Sequence, residues 1–267
     1  GENDIAIVHV DVRWPQVFSS MQIWARNETG VIVVSLWSVL RAGYSSCAAL
    51  LDTLDIAVNH GSWDSLLFLS GSHAWIRPRA ELAKYIFYHQ TNIIFASRTR
   101  QEDMRASYAH MYEVHYECGG YLWLIARDHV DLSTVLLPHL GHPKLTQAIG
   151  QPFVVLHFDF VKWLSATRRQ RGSFAWTVVR YALRLVSSIE SFIHTLLLNS
   201  RWCYHVSNHH DLTLARVHPD QQEKHHAEEE YDMGLRIHSA GTLGLEDLDD
   251  LKVARWNYWS PCYSGRW

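Results

Sequence analysis

Four small or polar residues, Ser70-Gly71-Ser72-His73, close off the apolar run Leu66-Leu67-Phe68-Leu69 within SWDSLLFLSGSHAWIRPRAEL at 62–82. A buried parallel strand that stops at a small-residue turn delivers its carboxyl end to a crevice, where open α/β sheets hold ligands. An ordinary strand-to-helix turn reads the same way in isolation. Glu190 is a second feature, in the first turn of an apolar helix expected over 187–200. A carboxylate there complements the helix N-terminus by roughly 0.3–1 kcal/mol. A third is histidine, with 18 in the chain and adjacent pairs at His209-His210 and His225-His226. The latter pair lies in DQQEKHHAEEEYD, which is charged, lacks apolar periodicity and reads as a solvated loop or exposed helix. No HExxH-type spacing sets two ligands on one face, so no metal centre is expected.

The elements around these residues alternate. DIAIVHVD (4–11) alternates apolar and polar residues and reads as a strand, and the β-branched GVIVVSLW (30–37) as a second. SSCAALLDTLDIAVNHG (45–61) has helical spacing, with Ser45 or Ser46 as N-cap and Gly61 past the end. SLLFLS (65–70) is the next strand, and PRAELAKYIFYHQ (78–90) a helix with Pro78 near its first turn. NIIFAS (92–97) suggests a short strand, residues 99–117 a partly exposed helix, and 119–145 a loop-rich stretch. PFVVLHFDFVKWLSAT (152–167) runs from strand to helix, the helix of Glu190 carries a possible cap at Ser187 or Ser188, and RWCYHVSN (201–208) returns as a strand. Residues 218–267 read as a polar tail with a short helix and an aromatic-rich end. This alternation argues for one α/β domain with a mostly parallel central sheet flanked by helices.

Composition narrows the classes. The chain has 267 residues, 48% hydrophobic and 19% charged, enough to bury a substantial core. A formal net charge of −3 carries no signature for nucleic acid or an anionic membrane. No apolar run approaches the roughly 20 residues that span a bilayer. Cys47, Cys118, Cys203 and Cys262 are widely spaced, which excludes a zinc knuckle and leaves up to two disulfides open.

Four islands in order resemble glycosyltransferase family 14, the core-2 type β-1,6-N-acetylglucosaminyltransferases and peptide O-xylosyltransferases, over about 4–256. DIAIVHVDVRW is similar to the family's strand ending in His-x-Asp-Lys/Arg, with His9, Asp11 and Arg13 near the nucleotide pocket. The segment from Ser38 to Pro78 resembles the pattern Arg-x-x-Trp-Gly-Gly, helix, Trp-Asp, strand, Leu-Ser-Gly-Ser-Asp, which assigns Arg41, Ser70, Gly71, Ser72 and His73 to the donor site. GQPFVVLHFDFVKWL resembles the Gly-Ser-x-Trp-Phe segment, and 187–217 the Pro-x-Glu-x-Phe block, which places Glu190 at the catalytic glutamate.

The resemblance implies a single GT-A-like domain over 1–217, with 218–267 completing the diphosphate side. It implies inverting transfer of N-acetylglucosamine or xylose from a UDP-sugar to a glycan or protein hydroxyl, without a metal or other cofactor. Glu190, ionised near neutrality at an ordinary glutamate pKa of about 4.3, would take the acceptor proton. Arg216 and Arg255, the latter in VARWN, would neutralise the leaving diphosphate. The loop-rich stretch over 119–145, read from its residues alone, offers room for acceptor-facing segments. The family also implies a Golgi lumenal protein held by an anchor outside this chain, or a bacterial cytoplasmic or membrane-associated one. The chain starts at what is the second strand in relatives. Its departures are His73 for Asp, Tyr44-Ser45 for Trp-Gly, Ser188-Ile189 before Glu190 and Trp256 for Lys. They frame the alternative, a non-catalytic carbohydrate-binding or scaffold protein that keeps the fold.

Overall fold

The computed structural model describes residues 4–40, 42–69, 73–75, 84, 92–94, 96–97, 114–126, 148–150, 154–208, 213–217 and 240–241. Among them the chain is mixed α/β, with five α-helices and several small sheets.

The N-terminal part is a β-α-β unit. Strand β1 (Ala6–His9) pairs in parallel with β2 (Val31–Val34), and α1 (Pro15–Ala25) crosses between them. Pro15 sits in the first turn of α1, where a missing N–H costs nothing. Gly30 enters β2 at φ 77°, and a Cβ there would stand 2.5 Å from the Asp4 carbonyl oxygen, so only glycine fits. None of α1 is buried, and Trp14, Val17, Ile23 and Trp24 are exposed. Phe18, Met21 and Ala25 form its half-buried side.

The core is built on α2 (Tyr44–Asn59), α3 (Phe158–Thr167), α4 (Phe174–Ala182) and α5 (Phe192–Leu198). Helical spacing buries Cys47, Leu50, Leu51 and Leu54 of α2 against Phe160, Val161 and Leu164 of α3. Ala175, Val178, Val179 and Ala182 of α4 join Phe192, Ile193, Leu196 and Leu197 of α5 in the same cluster. Ser173 starts α4, its hydroxyl accepting the Trp176 N–H at 3.0 Å. Residues 45–61 thus form the expected helix, although Gly43 rather than a serine is its N-cap.

The central sheet is mixed, which corrects the expectation of a mostly parallel one. Its order is β11 (Val206–Asn208), β5 (Asn92–Ile94), β10 (Val155–His157) and β3 (Ser65–Leu67). Only β11 and β5 are parallel; β10 runs antiparallel to both β5 and β3. The Leu66–Leu69 run therefore contributes a short antiparallel strand of intermediate burial, since a continuous apolar run does not encode its direction. Fully buried Asn92 fastens the sheet: its side chain accepts from the His157 N–H at 2.9 Å and donates to the His205 carbonyl at 3.2 Å.

Strands also form where none was expected. Residues 114–126 make a hairpin of β7 (Val114–Cys118) and β8 (Tyr121–Ala126), in place of the end of a helix and the start of a loop. Gly119 and Gly120 take φ 61° and 78° in its two-residue turn, the positive angles such a turn demands. In the fourth island a 3-10 turn (Ser188–Glu190) precedes α5, and neither Ser187 nor Ser188 supplies a side-chain cap. Residues 201–205 are a 3-10 helix ahead of β11. Strand β6 (Ala96–Ser97) pairs with β9 (Ile149–Gly150), and β12 (Thr213–Val217) lies between β4 (His73–Trp75) and β13 (Ala240–Gly241). The helix expected over 78–90, apart from Lys84, and most of 218–267 lie outside the described residues.

Cys47 and Cys118 are free thiols, so two disulfides do not form; Cys203 is disulfide-bonded, and its partner lies outside the described residues. Burial pushes the Cys47 thiol up to about 12. No helix among the described residues is long and apolar enough to cross a membrane.

Candidate functional site

The turn after β1 fastens three residues of the first island to the loop after β2. The Asp11 carboxylate accepts from the Arg13 backbone N–H and Nε–H at 2.9 Å each and from Nη2 at 2.6 Å. It also accepts from the Val39 N–H at 2.9 Å, while Arg13 Nη2 donates to the Val39 carbonyl at 2.7 Å. The Arg13 hydrogen bonds hold the Asp11 carboxyl far below its ordinary value. His9 Nε2 accepts from the backbone N–H groups of Leu36 and Trp37 at 3.4 and 3.3 Å. An accepting Nε2 must be unprotonated, and burial lowers the His9 pKa against the opposing Asp11 charge.

This turn borders a cavity of about 560 Å³, a size suited to small-molecule ligands. Arg13, Trp37, Ser38, Leu40, Tyr44 and Ser45 form one side. The hairpin, from His115 through Gly120, forms another, and Arg180, Leu183 and Arg184 at the end of α4 complete it. Three guanidiniums and one carboxylate, Glu117, share the space with two tyrosines and a tryptophan. Such a wall offers charge to an anion and flat surface to a ring. Burial pushes the Tyr44 hydroxyl above its ordinary value, keeping it a neutral group that can donate.

The hairpin is held over the cavity at two points. Glu117 Oε2 accepts the Ser45 N–H at 2.8 Å, in the first turn of α2, and the His115 N–H donates to the Arg184 carbonyl at 2.9 Å. A carboxylate at that end of a helix satisfies an orphan donor and the helix dipole together. Gly43 leaves room beside it, since a Cβ there would collide with Glu117 Oε2 and displace the carboxylate.

Glu190 is half-buried in its 3-10 turn and is not among the residues lining this cavity. The turn is nonetheless tied to the same helix end, since the Ser187 N–H donates to the Ala42 carbonyl at 2.8 Å. Ser187 takes φ 50°, the one non-glycine residue with positive φ among the described residues. Such a strained position persists only where its surroundings fix it, and it points to a constrained role. His73 and Arg216 come together in the backbone: His73 pairs with Ala215 in β12, next to Arg216. Arg41, Ser70, Gly71, Ser72 and Arg255 lie outside the described residues, as do both histidine pairs. No group of three or more His, Cys, Asp or Glu side chains is placed to hold a metal among the described residues.

The sequence reading missed Trp37, His115, Tyr116, Glu117, Arg180 and Arg184. A signal existed for most of them. Gly-Gly between VHYEC and YLWLI is a hairpin signature, and Ser173 followed by apolar residues at helical spacing marks α4, with Arg180 and Arg184 four apart. The family model for core-2/I-branching enzymes matches residues 2–251. The chain belongs to that family. It is accordingly a glycosyltransferase, from a family whose chemistry joins a nucleotide-sugar donor to a glycan acceptor. No curated protein matches the core-2/I-branching chain described here.

Proposed function

We propose that this core-2/I-branching family member is a GT-A-like enzyme over 1–217. In this reading it transfers N-acetylglucosamine or xylose from a UDP-sugar to a hydroxyl of a glycan or protein, with inversion and without a metal. The acceptor oxygen attacks the anomeric carbon, the bond from that carbon to the diphosphate breaks, and its electron pair leaves on UDP. The Glu190 carboxylate takes the acceptor proton. Negative charge growing on the diphosphate is met by guanidiniums, Arg13, Arg180 and Arg184 at the cavity and Arg216 and Arg255 from the C-terminal side.

The observation that carries this reading is the Ser187–Ala42 hydrogen bond. It anchors the turn of Glu190 to the residues that lead into α2, whose first two residues, Tyr44 and Ser45, line the cavity. Two segments over 140 residues apart, both similar to family motifs, thus meet at one helix end. The competing reading, a non-catalytic carbohydrate-binding or scaffold protein, draws on the absence of Glu190 from the cavity wall. Thermal unfolding with UDP, with and without EDTA, separates the two. Saturating UDP is expected to stabilise the chain, by about 2.7 kcal/mol at a hundredfold excess over Kd, and EDTA to leave that unchanged. No shift at millimolar UDP favours the non-catalytic protein.

A further inference from the structure

Trp37 closes one side of the cavity, and every polar group it owns is engaged by the fold. Its backbone N–H donates to His9 Nε2 at 3.3 Å, and its carbonyl accepts the Val12 N–H at 3.1 Å. The indole N–H donates to Asp52 Oδ2 at 2.9 Å. With the backbone tied on both sides, only the two side-chain torsions remain, and the bond to Asp52 fixes them. The residue is still 37% exposed, so ring surface rather than the N–H is what it offers a ligand. Asp52, on α2, is held in turn. Its other oxygen, Oδ1, accepts from Arg168 Nη2 at 2.7 Å, with the exposed Arg169 3.8 Å away. Joining α2 to α3 does not need Asp52, since Asp55 already bonds Arg168, Arg169 and Ser165. What Asp52 adds is the reach to the loop after β2. Tyr44, two turns earlier on α2, also lines the cavity, and the charges of Arg168 and Asp52 reach its hydroxyl. One ion pair thus backs two aromatic residues of the same wall.

We propose that Asp52 is a positioning residue for the cavity: its carboxylate, held by Arg168, sets the angle at which the Trp37 ring faces the ligand. The proposal rests on the transfer reading above, in which that ligand is a UDP-sugar, and adds the device that shapes the wall before the ligand arrives. A ring locked in advance by a hydrogen bond behind it loses little freedom on binding, so its effect appears in affinity. Asp52 itself does not line the cavity and acts only through the indole.

The test uses the whole chain, with UDP as the probe in titration calorimetry and urea denaturation to read stability. The Trp37 indole N–H signal in proton–nitrogen NMR, assigned by its loss in Trp37→Phe, reads the contact itself. Asp52→Ala should shift that signal, speed its hydrogen exchange and weaken UDP about tenfold, the loss of one hydrogen bond to a charged group. Trp37→Phe keeps a ring and leaves the ion pairs of Asp52 intact, yet lacks the donor, and should weaken UDP to a similar degree. The double variant should bind no more than about twofold worse than the poorer single one, because both changes break one contact. Asp55→Asn disturbs the same ion network away from Trp37, so it should lower stability and leave UDP affinity within about twofold. Equal weakening in Asp55→Asn and Asp52→Ala, independent losses in the double variant, or an indole signal indifferent to Asp52→Ala would each overturn the proposal. UDP binding that Asp52→Ala leaves unchanged refutes the positioning role and leaves the transfer reading standing. An unaltered chain that ignores UDP, while its indole signal answers to Asp52, does the reverse.

Discussion

Glu117 and Ser45, 72 positions apart, meet at 2.8 Å, the carboxylate accepting the first-turn N–H of α2. Gly43 leaves the room for that contact. Glu117→Ala is expected to cost about 1 kcal/mol, the usual effect of losing an N-terminal cap. Gly43→Ala should cost at least as much, because its new methyl evicts the carboxylate and presses on Leu40 Cβ at 3.1 Å. The double variant should then lose clearly less than the two single losses combined, in urea denaturation. Additivity within about 0.5 kcal/mol would mean the two residues do not share one contact.

Arg168 joins α2 to α3. Its side chain is 10% exposed and reaches Asp52 at 2.7 Å and also Asp55, which accepts from Ser165 and Arg169 as well. Burial opposes the Arg168 charge, and the two carboxylates outweigh it and raise its pKa. Asp52 also accepts the Trp37 indole N–H at 2.9 Å, so the network reaches the cavity wall. Without Arg168 the carboxylates of Asp52 and Asp55 keep the exposed Arg169 as cationic partner, at a cost of about 2 kcal/mol, less than the loss of a fully buried partner. Arg168→Met should show that loss in urea denaturation, and Arg168→Lys a smaller one, since lysine keeps the charge but not the planar fork. A loss under about 1 kcal/mol for Arg168→Met would place these charges in effective contact with water.

His194 is fully buried in α5 with no hydrogen-bond partner on either ring nitrogen. Burial lowers its pKa to about 4, so it is neutral in the folded protein at pH 7. Unfolded histidine takes a proton below about 6.5, and the folded one resists until about 4. In that window the unfolded chain binds more protons, so stability falls as pH falls, by up to about 3 kcal/mol in total. Below about pH 4 this contribution levels off. His194→Leu should flatten the stability profile between pH 6.5 and 4. An unchanged slope in that variant would assign the acid sensitivity to other groups.

Parts of this structure were readable from local pattern and parts were not. The helix over 45–61 and the strand-to-helix passage through His157 declare themselves, because a periodic apolar stripe is long enough to fix its period. Sheet direction is different: Leu66–Leu67 packs equally well either way round, and long-range pairing with β10 decided it. The hairpin at 119–120 carried its own signal, overridden by reading MYEVHYE as helix. The site was least legible, since the Ser45–Glu117 and Ser187–Ala42 contacts join segments far apart in sequence, the first through one backbone N–H and the second through backbone groups alone, which any residue type supplies. The first island was legible in residue type, while the contacts its side chains make were not. Asp11 and His9 spend their hydrogen-bonding capacity holding the loop over 36–39.

Glu190 is the residue whose replacement speaks most directly to chemistry. Glutamine keeps its size and removes its basicity, so Glu190→Gln tests proton abstraction with little change in packing. The turn is fixed by backbone bonds, Glu190 N–H to the Ser187 carbonyl at 2.9 Å and Ser187 N–H to Ala42, and neither needs the carboxylate. Transfer from UDP-N-acetylglucosamine or UDP-xylose should therefore fall by about 10²–10⁴-fold, the usual contribution of a positioned general base. UDP should still raise the unfolding temperature as it does in the unaltered protein. Turnover within a few-fold of the original would exclude this carboxylate as the base. Loss of UDP stabilisation together with turnover would instead assign Glu190 to donor binding.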